Sequence, residues 1–155
     1  MKKILLILSF LRSSPKTIAT AIGLAKKMKA ELLVFFVLDI EYAEKIVHKL
    51  TDEGWIGGKP SDQLYDSLLK EYKLQAEETT LEIEKMAKEQ HVPVRSIIRS
   101  GSLATQSLRL AHLEKPDLIL ITRRKRSNLS RLIFGSAVKT IQEQAPCDVK
   151  IIDAE

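Results

Sequence analysis

Cysteine is almost absent: Cys147 stands alone in 155 residues. One thiol excludes an internal disulfide framework and a multi-cysteine metal site, and it suits a reducing cytoplasm, the expected location. Its place after Pro146, ahead of an apolar run, predicts a small buried hydrophobe. Aromatic residues make up 5% of the chain, and none lies among its clustered cations, so base stacking is excluded as a way of reading nucleic acid. No apolar run approaches the ~20 residues needed to cross a bilayer, so no membrane partner is expected. His48, His91 and His112 are dispersed, with no carboxylate or thiol at metal-ligand spacing. Lys2-Lys3 ahead of Ile4–Leu8 imitates a secretory leader. The run stops at Arg12 without a small-x-small cleavage site, which predicts a buried first strand instead. Glycine is also sparse: none occurs between Gly101 and Gly135, so the most basic segment has no bare backbone.

What the chain does have is positive charge in one place. It carries 25 Lys+Arg against 20 Asp+Glu, yet residues 123–139 alone hold Arg123, Arg124, Lys125, Arg126, Arg131 and Lys139 and no acid. The rest of the chain is close to neutral. The acids of the long helical stretch (Glu71, Glu77, Glu78, Glu82 and Glu84) interleave with Lys70, Lys73 and Lys85, which predicts a solvated face.

Length and a 45% hydrophobic content fit one ordinary domain. Continuous apolar runs at Ile4–Ser9, Leu32–Leu38, Val94–Ile98, Leu118–Ile121 and Val149–Ile152 predict strands covered on both faces. Between them lie helical patterns. Ser14 caps the first, with Pro15 at its first position and an apolar stripe of Ile18, Ala21, Ile22, Ala25 and Met28. Residues 41–50 predict a short helix and Thr51–Asp62 a loop holding Trp55, an anchor for that loop. A long helix follows from about Ser61 to Gln90, with Leu64, Leu68, Tyr72, Gln75, Thr79, Ile83 and Met86 inward. Gly101-Ser102 opens a helix through His112, with Leu103, Leu108 and Ala111 inward, and Ser136 opens another to Gln144. The alternation predicts an α/β fold: a five-stranded parallel sheet, doubly wound, with helices on both faces. In such a sheet ligands bind beyond the carboxyl ends of the strands. That edge gathers Ser9-Phe10, Val37-Leu38, Arg99–Ser102 and the segment from Thr122 to Ser136. A strand, a basic loop and a Gly-Ser that opens a helix form an anion cradle.

Lys3-Ile4-Leu5-Leu6, Ala30-Glu31-Leu32 running to Val37, Gly101, Pro116-Asp117-Leu118-Ile119-Leu120, and Gly135-Ser136 with Ala145-Pro146-Cys147-Asp148-Val149 stand in an order that resembles the universal stress protein family. Only about 41–62 is idiosyncratic. The resemblance implies a G-x2-G-x9-G-[ST] signature after strand four, where backbone amides and a hydroxyl meet phosphate. Counting back from Gly135, its earlier glycines fall at Thr122 and Lys125. Gly135 and Ser136 keep the end of the motif, Val138 replaces a second hydroxyl, and the strand-one aspartate position is Ser9. Val37 matches a position whose backbone meets adenine.

The resemblance thus implies a regulatory binding module of the stress response, not an enzyme. The expected ligand is a weakly held phosphate-bearing molecule, ATP or AMP among them, or no ligand at all. Its site would be Ser9, Val37, Thr122, Arg123, Arg124, Lys125, Arg131, Gly135 and Ser136, with no metal. It also implies a homodimer in which Val149–Ile152 pairs with its counterpart, and an apolar edge strand invites that physically. Bland alternatives stand beside these: Arg123–Arg126 as a solvated loop, Gly135-Ser136 as a plain helix cap, Ser9 as a strand end. Two other functions remain open. A nucleotide hydrolase or adenylyl-transfer enzyme would need a glycine-rich loop after strand one, where Ser9-Phe10-Leu11-Arg12-Ser13 stands. Nucleic-acid binding through the cations would be non-specific and salt-sensitive.

Overall fold

The computed structural model describes residues 1–10, 13–52, 60–124 and 137–154, with backbone only at 49–52, 60–62, 124 and 154. β1 (Lys2–Leu8), β2 (Ala30–Asp39), β3 (Val94–Gly101), β4 (Leu118–Arg124) and β5 (Asp148–Ala154) form one parallel sheet in the order β3-β2-β1-β4-β5. The central strands are buried on both faces, as the uninterrupted apolar runs require: Ile4 to Leu8 and Leu32 to Val37 are solvent-free. Alternate residues feed two cores. Ile4, Leu6, Leu8, Leu32, Val34 and Phe36 face α1 (Pro15–Met28), α2 (Ile40–Asp52) and α3 (Pro60–Glu89). Leu5, Ile7, Leu33, Phe35 and Val37 face α4 (Leu103–Glu114) and α5, the helical segment 137–144.

α1 starts as its sequence predicts. Ser14 Oγ accepts from the Thr17 backbone N–H at 3.1 Å, and Pro15 fills the first turn. The helix ends on Lys29 in the left-handed region (φ 55°), behind Lys26 and Lys27 at the negative end of its dipole. Gly101 closes β3 at φ 147°, where a Cβ would stand 2.8 Å from Gln106 Cγ, so the tight turn into α4 requires glycine. At the opposite end of the sheet Lys3 and Arg95 both hold Glu114, and Arg95 also reaches Glu31. Their donated hydrogen bonds hold the Glu114 carboxyl below its usual range.

Three expectations are corrected. First, the strand break expected after Ile121 does not occur. β5 supplies ladder partners as far as Arg124↔Ala154, so Thr122, Arg123 and Arg124 belong to β4 and not to a loop. Second, the short helix expected at 41–50 is present as α2 but runs on to Asp52, two residues into the expected loop, and α3 begins at Pro60. Third, the buried row of α3 is Tyr72, Ala76, Thr80, Ile83 and Ala87, one residue on from the expected Gln75 and Thr79, while Met86 is 37% exposed. Small side chains let the helix lie close to its neighbours. Thr80 is tolerated inside because its hydroxyl donates to the Glu77 carbonyl at 3.1 Å.

Candidate functional site

The sheet order reverses between β1 and β4, which makes their carboxyl ends the switch point of the fold. The β1–β4 ladder stops at Ile7↔Ile121, whereas β1 stays paired to β2 through Leu8↔Phe36 and β4 stays paired to β5 through Arg124↔Ala154. The two central strands therefore part just below the rim. Ser9, the next residue of the chain, is 1% exposed, and its Oγ has no hydrogen-bond partner among the described residues. A buried hydroxyl left unpaired costs about 1–3 kcal/mol, so this one is a standing demand for a donor or acceptor.

Thr122 lies on the α1 side. Its Oγ1 donates to Thr17 Oγ1 at 2.7 Å, and Thr17 Oγ1 sits 2.8 Å from Ser14 Oγ. Three hydroxyls thus tie the end of β4 to the first turn of α1. Arg123 is directed along the sheet instead: its Nε and Nη2 donate to Asp153 Oδ1 and Oδ2 at 2.8 and 3.3 Å, across the in-register pair Arg123↔Asp153. That two-point bond raises the guanidinium pKa. Val37 is wholly buried. Arg124 is fixed at the end of β4 by its backbone. Lys125, Arg126, Arg131, Gly135, Ser136 and Trp55 lie outside the described residues.

Two features were not anticipated from sequence. Asp39, closing β2, is 6% exposed, and its Oδ1 accepts from the Tyr42 N–H at 3.3 Å, capping α2. The same residue borders a polar cleft of about 120 Å³ with Glu41 and Lys45 of α2, Ser102 before α4, and Ala137 and Thr140 of α5. Ser102 makes no side-chain bond to the α4 N–H groups. A buried strand that ends in Asp and runs straight into a helix was the available signal. Beside it, Phe10 stacks on Tyr72 with ring centroids 4.4 Å apart, and Tyr42 stands 6.2 Å from each. Burial above all, then Tyr42 and Asp39, pushes the Tyr72 phenol well above its usual pKa. Cys147 is half-buried against the α4–α5 core, its thiol pKa raised by burial first and then by Asp148 and Asp117. Among the described residues no group of three or more His, Cys, Asp or Glu could hold a metal ion, and no helix is long and apolar enough to cross a membrane.

The chain is similar to known proteins in sequence and in fold. Universal stress protein MJ0531 of Methanocaldococcus jannaschii is 26% identical over 132 residues, covering 85% of this chain and 70% of its own. The solved universal stress protein UspA from Lactobacillus plantarum superposes with a TM-score of 0.69 at 17% identity, over 97% of both chains. A universal stress protein in complex with cAMP gives 0.62 at 14% identity, over 98% of this chain and 96% of that one. An Arabidopsis thaliana family protein with AMP bound gives 0.57 at 13%, over 100% and 93%. These structures share the fold, and the profile of the universal stress protein family runs along residues 1–153. By that match, together with the strand order it accompanies, the chain belongs to the universal stress protein family.

Proposed function

We propose that this chain is a cytoplasmic regulatory binding module of the stress response that holds a phosphate-bearing mononucleotide weakly at the rim where β1 and β4 part. The observation that carries this reading is the switch point itself, with the unpaired Ser9 hydroxyl buried beside it. Relatives of the same fold hold cAMP and AMP. The phosphate end of the ligand would meet the basic segment 123–136, through side chains of Arg124, Lys125 and Arg131 and through Gly135-Ser136 at the approach to α5. Side-chain capture would replace the backbone cradle that the substitutions at Thr122 and Lys125 have removed. Arg123 would join only by leaving Asp153.

Titration calorimetry with AMP and ATP tests this. Saturable but weak binding is expected, weaker still as ionic strength rises and screens the cations, and unchanged by magnesium. A tight magnesium-dependent ATP site would overturn the weak, side-chain mode of capture. No saturable heat with AMP, ATP or inorganic phosphate would overturn the site. Phosphate release from ATP is expected to match a protein-free control.

The module is further proposed to be a homodimer through β5, whose outer edge has no partner strand in the described sheet. In a parallel pair, one of the neighbours Lys150 and Ile151 directs its N–H away from β4. Of Lys150→Pro and Ile151→Pro, the one that removes the outward N–H should halve the mass seen by light scattering while keeping the fold. A wild-type monomer at micromolar concentration would end the dimer proposal.

A further inference from the structure

We propose that the cavity between α1 and the end of α3 binds a small amphiphilic carboxylate, its chain against Ala19, Ile22, Gly23 and Met86 and its head on Lys26 and Gln90. The cavity measures about 330 Å³ and lies toward the amino ends of the strands, away from the nucleotide rim. Pockets for small ligands begin at about that size. Gly23 is the unexpected element. It sits inside a helix, where glycine is less favourable than alanine. A Cβ there would meet no atom within 4 Å, so no neighbour demands its smallness. What the missing side chain provides is an open floor to the cavity. Met86 is its counterpart on α3: a large apolar side chain left 37% exposed at the cavity wall, with a flexible thioether that adapts to varied shapes.

The polar end of the cavity favours an anion. Lys26 Nζ donates to Gln90 Oε1 at 3.0 Å, and an ammonium has three N–H groups, so the pair still offers donors from Nζ and from the Gln90 amide. A carboxylate takes charge-assisted bonds from such a pair. α1 carries no acid and closes on Lys26, Lys27 and Lys29, against which the cavity sets Glu89 alone. At about 30 Å³ for each water-sized group, the space holds roughly ten non-hydrogen atoms. That is too few for the acyl chain of a bilayer lipid, so the ligand is a free medium-chain acid. The proposal is independent of the nucleotide reading.

Calorimetric titration with octanoate, butyrate and octylammonium reads tail and head separately. Octanoate should bind saturably and at least ~10-fold more tightly than butyrate, because its longer chain leaves water. Octylammonium, with a comparable tail and the opposite charge, should bind at least ~10-fold more weakly than octanoate. Gly23→Leu fills the floor and should cost octanoate at least ~10-fold in affinity, while melting no lower than the wild type, since leucine is the better helix former. Lys26→Met should erase the preference for carboxylate over ammonium. AMP should leave the octanoate affinity unchanged, because the rim lies elsewhere. No saturable heat with octanoate, an unchanged affinity in Gly23→Leu, or displacement by AMP would overturn the proposal, as would equal binding of octylammonium. A wild-type dimer that Gly23→Leu turns into a monomer would give the cavity to a second copy of the chain and overturn it too.

Discussion

Replacing Phe36 with alanine should destabilise the protein by about 3–5 kcal/mol, the range for a buried phenylalanine truncated in a packed core. Phe36 has no solvent exposure, lies in the second strand of the sheet between Leu8 and Ile98 in register, and faces the core shared with α1, α2 and α3. Two helical layers and two neighbouring strands hold the walls of the void apart, so collapse is limited. Against a total stability of about 5–15 kcal/mol, that loss removes roughly a fifth or more of the margin. Thermal unfolding should shift down by on the order of 10 °C for a chain of this size. A drop below about 1 kcal/mol would mean that the helices settle into the gap, and that the layer packing is looser than the burial indicates.

The second large effect is alkaline. Burial, Tyr42 and Asp39 all favour the neutral phenol of Tyr72, so its folded pKa lies above the unfolded value near 10. A raised folded pKa means the contribution is complete below pH 10 and is lost as pH climbs beyond it, because the unfolded state releases the proton first. Tyr42, also raised by burial, acts in the same direction. Tyr72→Phe keeps the ring stacked on Phe10 and has no proton to lose. Urea midpoints for wild type and Tyr72→Phe should therefore converge or lie close at pH 8 and separate above pH 10, with the variant the more stable. Parallel decline of the two proteins up to pH 11.5 would remove Tyr72 from the account of alkaline unfolding.

The strands could be read from sequence because a strand buried on both faces leaves an unbroken apolar run, and Ile4–Leu8 and Leu32–Leu38 are such runs. Pro15 after Ser14 marked the start of α1 for equally local reasons. The places where the reading slipped depended on neighbours. Arg123 is unsuited to a strand by its own chemistry, and is accommodated there with Asp153 opposite it on β5. In α3 the choice between Thr79 and Thr80, or Met86 and Ala87, turns on how closely the helix approaches its neighbours, which side-chain hydrophobicity does not encode. Thr122 stands at a ligand position by motif arithmetic, and the structure ties its hydroxyl to Thr17 Oγ1. Asp39 was visible only as the end of a strand, since its cleft is assembled by α4 and α5 from far along the chain.

The hydroxyl chain from Thr122 through Thr17 to Ser14 makes position 122 sensitive to loss of its side chain. Replacing Thr122 with glycine would take from Thr17 the hydroxyl that donates to it and weaken the hold of β4 on the first turn of α1. Freedom of the backbone at this end of the strand and anchoring of the helix therefore compete for the same residue.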